Sequence, residues 1–126
     1  MVIDSSAVLA IILEEPAAEY YAVQIAAAET RLMSVASFVE IGLRLIYLSG
    51  TLGTPTLEVF VLRSKIELVP VDEEQARVAL HAFEKYGKGR HKVALNFGDC
   101  FSYALAKVRR EPLLYQGNDF SQTDLA

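Results

Sequence analysis

The start of the chain constrains its fold more than any other stretch. Residues 1–3 form an apolar run with no polar face, Asp4 follows directly, and helix-like sequence begins at Ala7. Such a run is typical of a buried strand that opens a βαβ unit. Asp4 would then lie at the carboxyl end of that strand, where open α/β sheets bind ligands. An Asp is also a common helix cap, so Asp4 by itself does not define a site.

Strand-like and helix-like segments alternate along the rest of the chain. Further strands are predicted at 31–35, 66–71 and 112–115, and helices at 7–14, 16–29, 36–49, 56–65, 72–86 and 98–110. Residues 53–55 are predicted to be a connection, and Pro70 predicts that the third strand lies at a sheet edge. Alternation of this kind favours a parallel sheet with right-handed crossovers. We therefore expect one α/β domain over residues 1–126, a three-layer α/β/α sandwich with a central parallel sheet.

Composition narrows the class of protein. A chain of 126 residues with 52% hydrophobic and 22% charged residues is typical of one compact domain. Its single cysteine, Cys100, excludes an internal disulfide framework and is expected to face the core. The net charge of −4 argues against a protein that coats nucleic acid, but not against a nuclease whose acids bind a cation. The apolar run at 7–13 is too short to span a bilayer and does not resemble a signal peptide, so we expect a cytoplasmic protein.

Four acids lie at comparable strand-to-helix junctions. Asp4 and Asp119 come just after predicted strands, Asp99 lies in the first turn of a predicted helix, and Glu40 lies within the first two turns of another. In a parallel sheet the carboxyl ends of the strands and the amino ends of the following helices share one edge. All four acids are therefore candidates for a single pocket.

Each acid also has a purely local explanation. Asp4 can cap a helix, and Glu40 can pair with Arg44 four residues later, an interaction of ~0.3–0.5 kcal/mol. Asp99 can interact favourably with the helix dipole, an interaction that contributes ~0.3–1 kcal/mol. Asp119 lies in a Gly-Asn-Asp turn, where Asp is common for local reasons.

Asp72 serves as an internal comparison, because it too follows a strand and precedes a helix. Gln75 lies three residues further on and completes a capping-box pattern. Together with the expected edge strand, this pattern indicates a structural role for Asp72.

If the four acids do converge, few kinds of site and reaction are compatible with them. Two carboxylates ~5 Å apart repel by roughly 3 kcal/mol at an effective dielectric constant of 20, so either some stay protonated or a cation neutralises them. Oxygen ligands without His or Cys favour Mg²⁺ or Mn²⁺ over zinc. Such a site suits phosphoryl chemistry. The sequence has no Walker loop for a nucleotide, which favours a polymeric phosphodiester as substrate.

The sequence resembles a known family over its whole length. The segments MVIDSSAVLAI, SFVEIGL, LNFGDCFSYALAK and PLLYQGNDFSQTDL are similar to those of the PIN-domain ribonucleases, and more closely to the VapC toxins of toxin–antitoxin pairs. This resemblance implies a PIN-like fold and a Mg²⁺- or Mn²⁺-dependent endoribonuclease that cleaves RNA. It also implies inhibition by a cognate VapB antitoxin and a homodimer.

The resemblance assigns roles to the acids. It implies that Asp4 and Asp99 are direct metal ligands and that Glu40 is a ligand or orients the attacking water. Many PIN domains have a fourth acid at the position of Gly117, so Asp119 is the nearest candidate here, as an outer-shell or second-metal acid. Hydrogen bonds to these carboxylates are expected from Ser5, Ser6 and Asn96, although helix capping explains the two serines equally well.

Two other segments invite a functional interpretation. The basic loop at 85–92 (KYGKGRHK) either contacts RNA phosphates or is simply solvated. Tyr20, Tyr21 and Tyr47 are candidates for a helical groove that receives the antitoxin.

Two other functions compete with the ribonuclease. One is an aspartate-phosphorylated protein, a receiver domain or a haloacid-dehalogenase-type phosphatase; the latter needs a second Asp where this chain has Ser6. The other is a non-catalytic PIN-fold binding module that uses its acids only for ion-dependent stability.

Overall fold

Four parallel strands form the central sheet. A computed structural model describes residues 1–89 and 94–125. The strands are β1 (Val2–Ile3), β2 (Leu32–Ser34), β3 (Glu67–Val69) and β4 (Leu113–Leu114), in the order β3-β2-β1-β4. Val2 is in register with Leu32 of β2 and Leu113 of β4, so the start of the chain lies inside the sheet. β3 lies at an edge, which confirms the prediction made from Pro70.

Helices connect the strands across both faces of the sheet. Within the described residues they are α1 (Ser5–Ile12), α2 (Ala18–Ala27), α3 (Val35–Ser49), α4 (Gly53–Arg63), α5 (Glu73–Tyr86) and α6 (Phe97–Arg109), with a 3₁₀ turn at Gly50–Leu52. Because successive side chains of a strand point to opposite faces, each strand contributes to two cores. Ile3 and Met33 pack among residues of α1, α2, α3 and α4, whereas Val2 and Leu32 pack against α6. The predicted three-layer α/β/α sandwich is confirmed.

Several element boundaries differ from those predicted. α1 begins at Ser5, two residues early, because Asp4 caps it. The prediction of a connection at 53–55 is wrong, since these residues form the first turn of α4. Pro55 is tolerated there because a first-turn N–H has no partner within the helix. Gly53 is required by close packing: a Cβ would lie 2.6 Å from the backbone N of Ile46 in α3.

The segment Val35–Arg63 is long and apolar enough, by length and composition, to cross a membrane. It is not one straight helix, because Gly50 adopts a φ of +59° and the chain folds back there. α3 has 15 residues and is therefore about 22 Å long, shorter than the ~30 Å hydrocarbon core of a bilayer. Ile41, Leu45 and Leu57 from this segment are buried in the core. Burial accounts for only part of its apolar composition, since Leu43, Tyr47 and Leu62 of the same segment are exposed.

Candidate active site

Asp4 is both the cap of α1 and the centre of a buried hydrogen-bond network. It is only 2% exposed. Its Oδ2 accepts hydrogen bonds from the backbone N of Ser6 at 3.0 Å and from Ser6 Oγ at 2.6 Å. Its Oδ1 accepts a bond from Ser102 Oγ of α6 at 2.5 Å. Capping therefore explains one carboxylate oxygen, and the other is held by a residue 98 positions away.

A second serine extends this network. Ser37 Oγ of α3 lies 3.1 Å from Ser102 Oγ, and both serines are fully buried. Because Ser102 donates its hydrogen to Asp4, Ser37 is the donor to Ser102. The chain Ser37–Ser102–Asp4 thus links α3, α6 and the end of β1 through two hydroxyl groups.

Glu40 is held beside Asp4 by two contacts. Ser5 Oγ donates a 2.6 Å hydrogen bond to Glu40 Oε1. The carboxylate lies against Gly98 of α6, where an added Cβ would be 2.1 Å from Oε2. Burial raises the pKa of Glu40, the Ser5 hydrogen bond lowers it, and the charge of Asp4 raises it further. The surface pair with Arg44 is absent: within the described residues, no ion pair joins the two side chains.

Asp99 lies in the first turn of α6 and forms a reciprocal capping box with Asn96. The backbone N of Asp99 donates to Asn96 Oδ1 at 2.9 Å, and the backbone N of Asn96 donates to Asp99 Oδ2 at 3.0 Å. Burial, above all, raises the pKa of Asp99 to about 7. The hydrogen bond from Asn96 lowers it, and the charges of Asp4, Asp119 and Glu40 raise it. The other three predicted acids are therefore within electrostatic range of Asp99.

Asp119 differs from the other three acids because its side chain is exposed. The tail that carries it is docked on the fold: Phe120 is buried, and its ring packs on Tyr115 with centroids 5.1 Å apart. Asp124 fixes the end of the tail, since its carboxylate accepts hydrogen bonds of 2.7 Å from Tyr103 Oη and Lys107 Nζ. The exposed Asp119 carboxylate is within electrostatic range of Asp99.

The chemistry of the three acids suits a hard divalent cation, but the distances between them do not. Asp4, Glu40 and Asp99 offer only carboxylate oxygens, the ligands preferred by Mg²⁺ and Mn²⁺. A cation would also relieve the repulsion that raises the pKa of Asp99. Nevertheless, within residues 1–89 and 94–125 no three Asp, Glu, His or Cys side chains are close enough together to hold a metal ion. Binding would therefore require the carboxylates to draw closer.

Several supporting contacts were not foreseen from the sequence. They involve Ser37, Gly98, Ser102 and Gln116, whose backbone N donates to Ser6 Oγ at 2.9 Å. One signal was present: Ser37 and Ser102 each lie three residues from a candidate acid on the same helix, in otherwise apolar sequence. The expected bonds from Ser5, Ser6 and Asn96 are all present.

The remaining sequence predictions have mixed outcomes. Asp72 caps α5 through a 2.8 Å bond from the backbone N of Gln75, but the Gln75 side chain donates to the carbonyl of Pro70, so the capping box is only half formed. Cys100 is buried, as expected, and burial raises the pKa of its thiol to about 11. Tyr21 is buried, whereas Tyr20 and Tyr47 are exposed. Of the basic loop, residues 90–92 lie outside the described residues.

Comparison with known proteins defines the class. The family model of the PIN domain matches residues 1–125. Ribonuclease VapC30 of Mycobacterium tuberculosis is 45% identical over 126 residues, which cover 100% of this chain and 96% of that protein. Ribonuclease VapC of Mycolicibacterium smegmatis is 46% identical, with coverage of 100% and 98%. The chain therefore belongs to the PIN domain family, in its VapC ribonuclease branch.

Solved structures agree on the fold. Mycobacterium tuberculosis VapC20, described as a toxin that cleaves the sarcin–ricin loop, superposes with a TM-score of 0.78 at 14% identity, covering 99% of this chain and 95% of that one. A toxin–antitoxin complex from Klebsiella pneumoniae gives a TM-score of 0.74 at 13% identity, with coverage of 98% and 92%. At these identities the likeness concerns the fold alone.

Proposed function

We propose that this protein is a Mg²⁺- or Mn²⁺-dependent endoribonuclease toxin whose active site is formed by Asp4, Glu40 and Asp99, with Asp119 at its rim. The observation that carries the proposal is the convergence of distant segments on one site: Ser102 of α6 bonds to Asp4, Ser5 bonds to Glu40, and Gly98, next to Asp99, lies against the Glu40 carboxylate. The names of the VapC relatives support RNA as the substrate.

Each side chain has a distinct role in the proposed reaction. Asp4 and Asp99 would hold the metal ion, and Glu40 would be a further ligand or orient the attacking water. Ser6 and Ser102 keep the Asp4 carboxylate in place, and Ser5 does the same for Glu40. The exposed Asp119 would act as an outer-shell or second-metal acid.

The reaction is hydrolysis of a phosphodiester. A bound divalent cation would lower the pKa of the attacking water and neutralise charge on the phosphate. The water oxygen forms a bond to phosphorus in line with the departing ribose oxygen, whose bond to phosphorus breaks and which then takes up a proton. The protein positions the reacting groups. Because the acids lie on helices and at a strand end that pack into the core, the groups meet without a large loss of entropy.

Cleavage of structured RNA with and without Mg²⁺ or Mn²⁺ tests the proposal. We expect metal-dependent cleavage that Asp99→Asn abolishes, because Asn can keep the bond from the Asn96 backbone but is a poor metal ligand. Asp72→Asn is the matched control, since it changes a capping Asp outside the site and should leave cleavage unaltered. Undiminished cleavage by a folded Asp99→Asn variant would rule out this site. Metal-dependent stabilisation without any cleavage would favour the non-catalytic binding module instead.

We also propose protein partners, a VapB-type antitoxin and a second copy of the chain, in the cytoplasm. Apolar side chains stand exposed on three helices: Tyr47 of α3, Leu62 of α4 and Leu80 of α5 are 68–86% exposed. An apolar groove lined by Leu80, Phe83, Phe101 and their neighbours runs between α5 and α6. Light scattering of the free protein and co-purification with a co-expressed antitoxin test these partners, and a monodisperse monomer would contradict the dimer.

A further inference from the structure

An exposed aromatic ring stands directly beside the candidate active site. Phe97 is the first residue of α6, two residues before Asp99, and it is 79% exposed. The ring is supported by Phe101, with centroids 4.9 Å apart in an edge-to-face arrangement at 74°. The backbone of α6 and the contact with Phe101 thus hold the Phe97 ring in place, although it is exposed to solvent.

Phe97 lines a groove between α3 and the amino end of α6. The groove has a volume of about 550 Å³, within the range of small-ligand sites, and we call it the Phe97 groove. Val39 and Leu43 contribute apolar walls, and Glu40 and Arg44 contribute polar groups. Because Glu40 is also a candidate active-site acid, the groove opens onto the site where the phosphodiester would be cleaved.

Arg44 gives the groove a cation that the fold does not otherwise use. The side chain is exposed, and within the described residues it makes no hydrogen bond or ion pair. An unpaired guanidinium can bind a phosphate oxygen. An aromatic face and a free cation beside an acidic site match one nucleotide: the flat base is uncharged, and the phosphate is negative.

We propose that the Phe97 groove binds a nucleotide adjacent to the scissile phosphate, with Phe97 stacked on its base and Arg44 paired with its phosphate. This inference rests on the proposed ribonuclease function. Stacking of splayed bases on aromatic rings is a general mode of single-stranded RNA recognition. In this protein, stacking would hold the RNA strand beside carboxylates that repel its phosphates, since the contact between Phe97 and the base needs no charge.

Binding and cleavage of a single-stranded RNA together test the subsite. We would map the wild-type cleavage position on total RNA and then synthesise a fluorescent 12-nucleotide fragment that contains it. In EDTA, where cleavage does not occur, Phe97→Ala is expected to weaken binding of this fragment about tenfold, whereas Phe97→Trp preserves it. With metal, Phe97→Ala should raise KM about tenfold and leave kcat within about twofold. Arg44→Gln should reduce the salt slope of binding by about 0.7.

Two controls separate stacking from other effects. Phe97→Leu keeps an apolar side chain at the same position but removes the ring, and it should weaken binding as much as Phe97→Ala does. A fragment with an abasic site next to the cleavage position should bind wild type and Phe97→Ala equally, because the base that Phe97 contacts is missing. Thermal melting of each variant confirms that the exposed substitution leaves the fold intact.

The nucleotide subsite and the ribonuclease activity can fail independently. Cleavage lost in Asp99→Asn, together with unchanged RNA binding and KM in Phe97→Ala, would overturn the subsite and leave the ribonuclease standing. Phe97→Ala that loses only the co-purified antitoxin would overturn it too, and would assign the groove to a protein contact. Absence of any metal-dependent cleavage by the wild type would remove the ribonuclease itself, and the subsite with it.

Discussion

Ser102 Oγ donates a 2.5 Å hydrogen bond to Asp4 Oδ1, and both side chains are buried. The bond joins residues 98 positions apart and fixes the carboxylate oxygen that the cap of α1 leaves free. A hydrogen bond to a charged group contributes roughly 1.5–3 kcal/mol. Ser102 is therefore a positioning residue for Asp4, and Ser37 supports it from α3 at 3.1 Å.

Ser102→Ala should weaken metal binding by about tenfold or more, because Asp4 loses the donor that orients it. Ser102→Thr keeps a hydroxyl and should restore much of the affinity. Ser37→Ala should have a smaller effect, since Ser102 can still donate to Asp4. Calorimetric titration with Mn²⁺ measures the affinity independently of turnover. Equal affinities for wild type and a folded Ser102→Ala variant would show that the bond is only structural.

Gly98→Ala tests the contact between α3 and α6. A Cβ at Gly98 would lie 2.1 Å from Glu40 Oε2, so the carboxylate must move away from its position beside Ser5. We expect kcat to fall about 10²-fold, as misplacement of a reacting group by ~1 Å can cause. The melting temperature should change little, because the helical preference for Ala over Gly, ~1 kcal/mol, offsets the cost of moving the Glu40 carboxylate away from Ser5.

Gly42→Ala is the matched control for this substitution. Gly42 lies in α3 two residues from Glu40, and an added Cβ would meet Leu57 Cδ2 at an ordinary 3.5 Å. The two variants should therefore differ in kcat but have similar melting temperatures, which kinetics and thermal melts measure. Equal activities would show that the Glu40 carboxylate can move without consequence.

The sequence predicted the pocket's acids better than the groups that hold them. Asp4 and Asp99 follow from local rules: Asp4 comes directly after β1 and is the N-cap of α1, and Asp99 lies in the first turn of α6, where it completes a capping box with Asn96. Ser102 and Gly98 act through α1 and α3, so their roles depend on how the helices pack and not on local pattern. Periodicity and spacing describe one element at a time, which is why the contacts between elements stayed hidden.

The start of α4 lies three residues before its predicted position, again because of a contact between helices. Pro55 and two small or polar neighbours are typical of a loop. Gly53 instead allows the backbone of α4 to approach that of Ile46 closely, and the helix begins at that contact. A tertiary contact therefore overrode the local preference for a turn.

The metal-free protein should lose stability as the pH rises from about 4 to 7. The pKa of Asp99 is raised from 3.8 to about 7, chiefly by burial and also by Asp4, Asp119 and Glu40. In that window the native state keeps a proton that the unfolded chain has released, so the free energy of unfolding falls with rising pH. Urea unfolding in EDTA at pH 5 and pH 8 should show a larger loss for wild type than for Asp99→Asn, which cannot titrate there. Parallel losses would contradict the assignment.

Arg31 should be a major contributor to stability outside the candidate site. Its guanidinium donates to three carbonyl oxygens at the ends of α2 and α4: Ala26 at 2.9 Å, Ala28 at 3.2 Å and Ser64 at 2.8 Å. A cation there satisfies carbonyls that lack partners and opposes the helix dipoles. Arg31→Ala is expected to lower the free energy of unfolding by about 2 kcal/mol, whereas Arg77→Ala, which breaks an exposed pair with Glu73, should lower it by less than about 0.5 kcal/mol. Urea titration of both variants measures the difference, and equal losses would mean that these carbonyls are satisfied just as well by water.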